Sequence, residues 1–154
     1  MKSRSDIKIF IVGGGEIGRS LAGQLSRDGY ELTLIDRNPD VVKSLSNSFD
    51  IICFEGNGAS YTTLQELSAG KADIWIAVTE SDELNILSCM TAHMMGAKHT
   101  IARIRDVDYA RQNHFYKDKL GLSMIINPEL ATALEIFRLL RFPLANRVET
   151  FARG

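Results

Sequence analysis

Gly13-Gly14-Gly15-Glu16-Ile17-Gly18 divides a strand from a helix, and the rest of the chain is read outward from it. Upstream, Ile7-Lys8-Ile9-Phe10-Ile11-Val12 is a short β-branched apolar run of the kind buried in a parallel sheet. Downstream, Ile17, Leu21, Ala22 and Leu25 recur on one helical face, and Asp28-Gly29 marks the helix end. A G-x-G-x-x-G pattern at such a junction has a mechanical meaning. Gly13 makes the tight turn, Gly15 lets the backbone approach a pyrophosphate, and Gly18 lets helix pack close on strand, leaving N–H groups at the helix start for phosphates. The same glycines could serve the turn alone, so the next segment matters. Glu31-Leu32-Thr33-Leu34-Ile35 is a second strand ending in Asp36, at about the 20-residue spacing where an acidic group meets a nucleotide ribose.

The 154 residues fit one domain, and 45% apolar composition supplies a full core. A net charge of −1 gives no attraction to nucleic acid or anionic membranes. There is neither an apolar run of about 18 residues nor a signal peptide, so a soluble, intracellular chain is expected. Cys53 and Cys89 lie in separate apolar segments without C-x-x-C spacing and read as buried thiols. His93, His99 and His114 lack ligand spacing, so no metal site is expected.

Past Asp36, Asn38 can cap a short helix that Pro39 opens, carrying Val41, Val42 and Leu45. Strand three, Ile51-Ile52-Cys53-Phe54, runs into Glu55-Gly56-Asn57-Gly58-Ala59, which is either a ligand loop at the carboxyl edge of the sheet or an ordinary turn. A helix over residues 60–67 closes near Gly70. Strand four is Ile74-Trp75-Ile76-Ala77-Val78; the helix after it starts at Ser81 or Asp82, ends at Gly96 and turns Leu84, Leu87, Met90 and Met94 to an apolar side. Strand five, Thr100-Ile101-Ala102-Arg103-Ile104, holds an arginine in an apolar run. At the carboxyl end of a central strand its partner is a ligand phosphate or carboxylate, or else Asp82 or Glu80. A polar helix from Asp108 to Lys119 precedes strand six, Met124-Ile125-Ile126. The alternation predicts an α/β fold, a Rossmann-like, doubly wound, mainly parallel six-stranded sheet.

The last helix, capped by Asn127 and opened by Pro128, carries Leu130, Ala131, Ala133, Leu134, Ile136, Phe137, Leu139 and Leu140 around most of its circumference. One sheet buries only one side of such a helix. Its outer side is expected to meet another subunit or domain, the alternative being deep burial in the monomer. After Pro143, Arg147 to Ala152 could begin a further strand, and the finish at Gly154 looks like the edge of a larger protein.

Binding is expected rather than catalysis. Residues 127–154 leave no room for a substrate domain. Tyr30, Tyr61, Tyr109 and Tyr116 are followed four residues on by Leu34, Gln65, Asn113 and Leu120, so the Y-x-x-x-K pair of short-chain dehydrogenases is absent. Neither G-x-S-x-G nor Walker A occurs. No catalytic residue is assigned, and the alternative is an oxidoreductase fragment cut from its substrate domain.

Ile11 to Gly18, Leu34 to Asp36, Glu55 to Gly58, Ala72 to Asn85, Ile101 to Arg105 and Ile126 to Glu129 together resemble the nucleotide-binding domain of the Trk-type potassium-uptake regulators, the TrkA family, also called RCK or KTN domains. The resemblance implies such a domain over residues 1–142, including a C-terminal crossover helix at 128–142 through which subunits pair, with 143–154 beginning a linker to a further subdomain. It implies a cytoplasmic regulator at the inner face of the membrane, forming dimers and rings beneath a potassium-translocating membrane protein, with no nucleic-acid partner, and gating transport as it binds NAD(H), ATP or ADP. By position, Gly13, Gly14, Gly15, Glu16 and Ile17 would hold the pyrophosphate. Asp36 would accept the ribose hydroxyls beside Arg37, Asn57 would border the adenine side, and Thr79, Glu80 and Arg103 would face the distal part. A carboxylate at Glu16 is a poor neighbour for a γ-phosphate, and Asp36 repels a 2′-phosphate, so NAD(H) is preferred over ATP and NADP is disfavoured.

Overall fold

The computed structural model describes residues 3–141. Its six strands are β1 (Lys8–Val12), β2 (Glu31–Asp36), β3 (Ile52–Glu55), β4 (Ile74–Ala77), β5 (His99–Arg103) and β6 (Met124–Ile126). They form one sheet in the order β3-β2-β1-β4-β5-β6, every pairing parallel. Strand order reverses between β1 and β4, which opens a crevice at the carboxyl ends of those strands.

Side-chain alternation along each strand makes two cores. Ile9, Ile11, Leu32, Leu34, Ile76 and Val78 face one way and bury Ala22 of α1 (Glu16–Arg27) and Leu45 of α2 (Pro39–Ser48). Phe10, Val12, Ile35, Trp75 and Ala77 face the other way, toward α3 (Tyr61–Glu66), α4 (Asp82–Met95) and, beyond a short α5 (Val107–Arg111), α6 (Asn113–Leu120). Phe10 and Trp75 stack at 5.2 Å between ring centroids. The helix signals act as read: Asn38 accepts from the N–H of Asp40, Ser81 from that of Leu84 and Asn127 from that of Leu130, while Gly96 adopts the left-handed conformation after α4. Cys89 is buried and Cys53 only half-buried; both are free, and burial pushes the Cys89 thiol up to about 12.

Three expectations are corrected. The polar segment forms two helices, α5 and α6, separated at Gln112. The expected apolar side of α4 holds only in part: Leu84 and Met90 pack against the core, Leu87 and Met94 are 51% and 82% exposed, and the buried positions are Asp82, Asn85, Ile86, Ser88, Cys89 and Ala92. The reason is Trp75, whose bulk at the sheet surface needs small, hydrogen-bonding neighbours. Its Nε1 donates to Ser88 Oγ at 2.9 Å, and Ser88 donates onward to the Gly58 carbonyl at 2.6 Å. Finally, α7 (Pro128–Arg141) has no buried residue; Leu130, Leu134, Ile136, Phe137, Leu139 and Leu140 all stand exposed, so the helix is neither sunk in the monomer nor half-covered by the sheet. The expected strand near Arg147 and the boundary at 142–143 lie outside the described residues.

Candidate functional site

A cavity of about 590 Å³ occupies the crevice at the carboxyl edge. The turn after β1 forms its floor. Gly13 has φ +104°, which a residue with a Cβ adopts only under strain, and its N–H donates to the Ile35 carbonyl at 2.8 Å. Gly18 lies so close beneath the turn that a Cβ there would be 1.8 Å from the Gly13 oxygen; it lets the helix approach the turn as well as the strand. Gly15 is the N-cap of α1 and has no side chain to bond the helix start. A Cβ on Gly15 would meet nothing within 4 Å, because it faces the opening. The first N–H groups of a helix have no intrahelical partner, so this end offers oriented donors and the positive end of the helix dipole to an anion.

On the β2 side, Asp36 joins the turn to the next strand. Its Oδ2 accepts from the Gly14 N–H at 2.7 Å and its Oδ1 from the Asn38 N–H at 2.8 Å. Each carboxylate oxygen keeps a lone pair for an outside hydroxyl. On the β4 and β5 side, Thr79, Glu80, Arg103, Arg105 and Glu129 close the cavity. Arg103 is 9% exposed; its guanidinium pairs with Glu129 at the start of α7 and reaches the Thr79 carbonyl at 3.3 Å. Arg105 donates to the Glu80 carbonyl and lies 3.8 Å from Asp82, whose other oxygen accepts the N–H groups of Arg105 and Asp106.

The cavity thus brings together Gly13, Gly15, Glu16, Ile17, Asp36, Arg37, Thr79, Glu80 and Arg103 of the residues singled out from the sequence. Gly14 and Asn57 are not on its wall. Gly14 contributes through its bond to Asp36, and Asn57 turns its Oδ1 onto the Ala59 N–H at 3.1 Å, while its neighbours Gly56 and Gly58 line the cavity. The partner of Arg103 is Glu129, not Asp82 or Glu80; at a separation of 26 positions the sequence carries no local signal of that pair. Among the described residues, no group of three or more His, Cys, Asp or Glu could hold a metal ion.

Arg103, chiefly by hydrogen bonding, holds the Glu129 carboxyl below its ordinary value of 4.5. The lowered value means that the pair persists above the ordinary pKa and is lost as pH falls through the folded one. Carbon-detected NMR should therefore give Glu129 an apparent pKa below 4.5, and Arg103→Ala should return it toward that value; identical titrations would rule the pair out in solution.

The TrkA-N domain family model matches residues 9–128. The chain belongs to the TrkA-N family. This TrkA-N domain is 33% identical over 151 residues to the Trk system potassium uptake protein TrkA of Haemophilus influenzae, covering 96% of the chain and 33% of that relative. It is 36% identical over 155 residues to a TrkA homologue of Methanosarcina mazei, covering 96% and 34%. The chain therefore spans about a third of the length of these relatives. Among solved structures, the TrkA-N domain of the inner membrane protein ybaL from Escherichia coli superposes with a TM-score of 0.76 at 19% identity, over 91% of this chain and 99% of that one. The GsuK channel bound to NAD superposes at 0.67 and 18% identity, over 82% and 22%, and GsuK bound to ADP at 0.66 and 19%, over 79% and 31%. At these identities the structural likeness shows a shared fold. No helix among the described residues is long and apolar enough to cross a membrane.

Proposed function

We propose that this TrkA-N domain is the nucleotide-sensing part of a potassium-uptake regulator, with NAD(H) as its preferred ligand and ATP or ADP as weaker ones. The observation that carries the reading is the open helix start at Gly15 facing the same cavity as the Asp36 carboxylate. A diphosphate fits the first and a sugar diol the second. Arg103 and Arg105 bring positive charge to the far half of the cavity wall, which suits a ligand phosphate. Relatives named as potassium uptake proteins, and a fold shared with a channel bound to NAD and to ADP, support the same reading.

In this reading the domain has no catalytic residue. Gly15, Glu16 and Ile17 hold the pyrophosphate on a turn that Gly13 and Gly14 shape through their bonds to Ile35 and Asp36. Asp36 and Arg37 hold the adenosine, with Asn57 behind that wall, and Thr79, Glu80 and Arg103 the remainder. Because Arg103 also grips Glu129, occupancy of the cavity bears directly on the base of α7. That helix, apolar and uncovered, is the crossover element through which subunits dimerise and build rings on the cytoplasmic face of a potassium-translocating membrane protein; nucleotide binding changes their geometry and so gates transport. Glu16 lies at the first turn of α1 on the cavity wall, where it repels a γ-phosphate. Calorimetry should give saturable binding with NADH tighter than ATP, and added carbonyl compounds should leave NADH absorbance unchanged. Absence of any binding would overturn the nucleotide reading, and hydride transfer would make the chain an oxidoreductase fragment instead. Potassium flux through the assembled transporter that ignores added NADH would remove the gating role.

A further inference from the structure

We propose that Asn85 is the positioning residue for the far half of the cavity, fixing the ends of β4 and β5 at the spacing the distal half of a dinucleotide requires. The inference rests on the nucleotide reading above. Asn85 is fully buried on the face of α4 that meets the sheet, in a place where an apolar side chain would satisfy packing alone. Its hydrogen-bonding capacity is fully used. Oδ1 accepts from the Thr79 N–H at 2.9 Å and the Thr79 hydroxyl at 2.7 Å, while Nδ2 donates to the Thr79 carbonyl at 3.1 Å and the Arg103 carbonyl at 2.9 Å.

A buried amide is costly unless each of its groups is paired, and a fully paired one selects a single geometry for its partners. Thr79 lies beyond the last residue of β4, where the strand ladder no longer fixes its position. Asn85 holds its backbone on both sides and its side chain as well. The same Thr79 carbonyl receives the Arg103 guanidinium, so two wall residues are set by one side chain that does not itself line the cavity. The adenosine side is independent of it: Asp36 takes its bonds from Gly14 and Asn38.

The test compares NADH with AMP, which occupies only the adenosine side, by calorimetry on the wild-type chain and on Asn85→Ala and Asn85→Asp. In the variants the dissociation constant for NADH should rise about tenfold or more, while that for AMP stays within about twofold. Equal losses for both ligands would reduce Asn85 to a general stabilising residue, and no loss for either would remove it from the site. If the wild-type chain binds neither ligand, the nucleotide reading falls and this role falls with it. Amide hydrogen exchange on the unliganded wild-type chain needs no variant to fold: the Thr79 N–H should be as protected as the ladder amides of β4, and free exchange there overturns the proposal.

Discussion

Gly18→Ala should unfold the turn on which the whole site stands. The added methyl would lie 1.8 Å from the Gly13 oxygen and 2.9 Å from its carbonyl carbon, both backbone atoms, so no side-chain rotation relieves the contact. Gly13 cannot move away cheaply, because its N–H is held by Ile35 and its φ of +104° is already one that only glycine adopts freely. Overpacking of a tight core costs roughly 1–3 kcal/mol, and a clash with fixed backbone belongs at or above the top of that range. At about 3 kcal/mol, a chain of this size should show an unfolding midpoint lower by about 6–12 °C. Nucleotide binding should disappear along with the shape of the turn. Gly15→Ala is the contrast: nothing stands within 4 Å of its Cβ, so stability should change by at most about 1 kcal/mol, the cost of a poorer N-cap. Binding should still suffer, since the methyl would occupy the mouth of the cavity. A Gly18→Ala protein that melts with the wild type would show that the approach of α1 to the turn is looser than its geometry indicates.

The second large effect is expected at Asp36. Asp36→Ala removes the acceptor from the Gly14 and Asn38 amides together with the groups offered to a sugar. Hydrogen bonds to a charged group contribute about 1.5–3 kcal/mol each, so losing the sugar contact alone should weaken NADH binding by roughly 10- to 150-fold. Relaxation of the Gly14 amide would add to this by loosening the pyrophosphate turn. Asp36→Asn keeps an acceptor for one amide but turns an NH₂ group toward the other, so it should lie between wild type and Asp36→Ala. Calorimetry checks the order, and an Asp36→Ala variant that binds NADH within about twofold of wild type would take the carboxylate out of the ligand site.

The architecture was accessible from the sequence because its signals are local. β-branched runs, the glycines between Gly13 and Gly18, the caps at Asn38, Ser81 and Asn127 and the stop at Gly96 each act over a few residues, and the six parallel strands follow from them. Features that depend on distant partners were not accessible. The inward face of α4 departs from the apolar periodicity at Leu87 and Met94, because the sheet presents Trp75, which Ser88 bonds, and the ends of β4 and β5, which Asn85 bonds. A buried polar residue three and four places from Ser88 and Cys89 was the available clue. Arg103 was correctly marked as needing a counter-charge, but Glu129 became its partner only through the placement of α7. Asn57 drew attention by standing between two glycines, yet its side chain closes its own turn.

The order of the strands also bears on how the chain behaves when crowded. Both borders of the sheet are short, four residues in β3 and three in β6. An unpaired border strand invites another chain to extend the ladder, and the invitation weakens as the number of free amide and carbonyl groups shrinks. The long, regular strands β1 and β2 are kept in the interior, so fibril growth by edge-to-edge addition has little template on either flank.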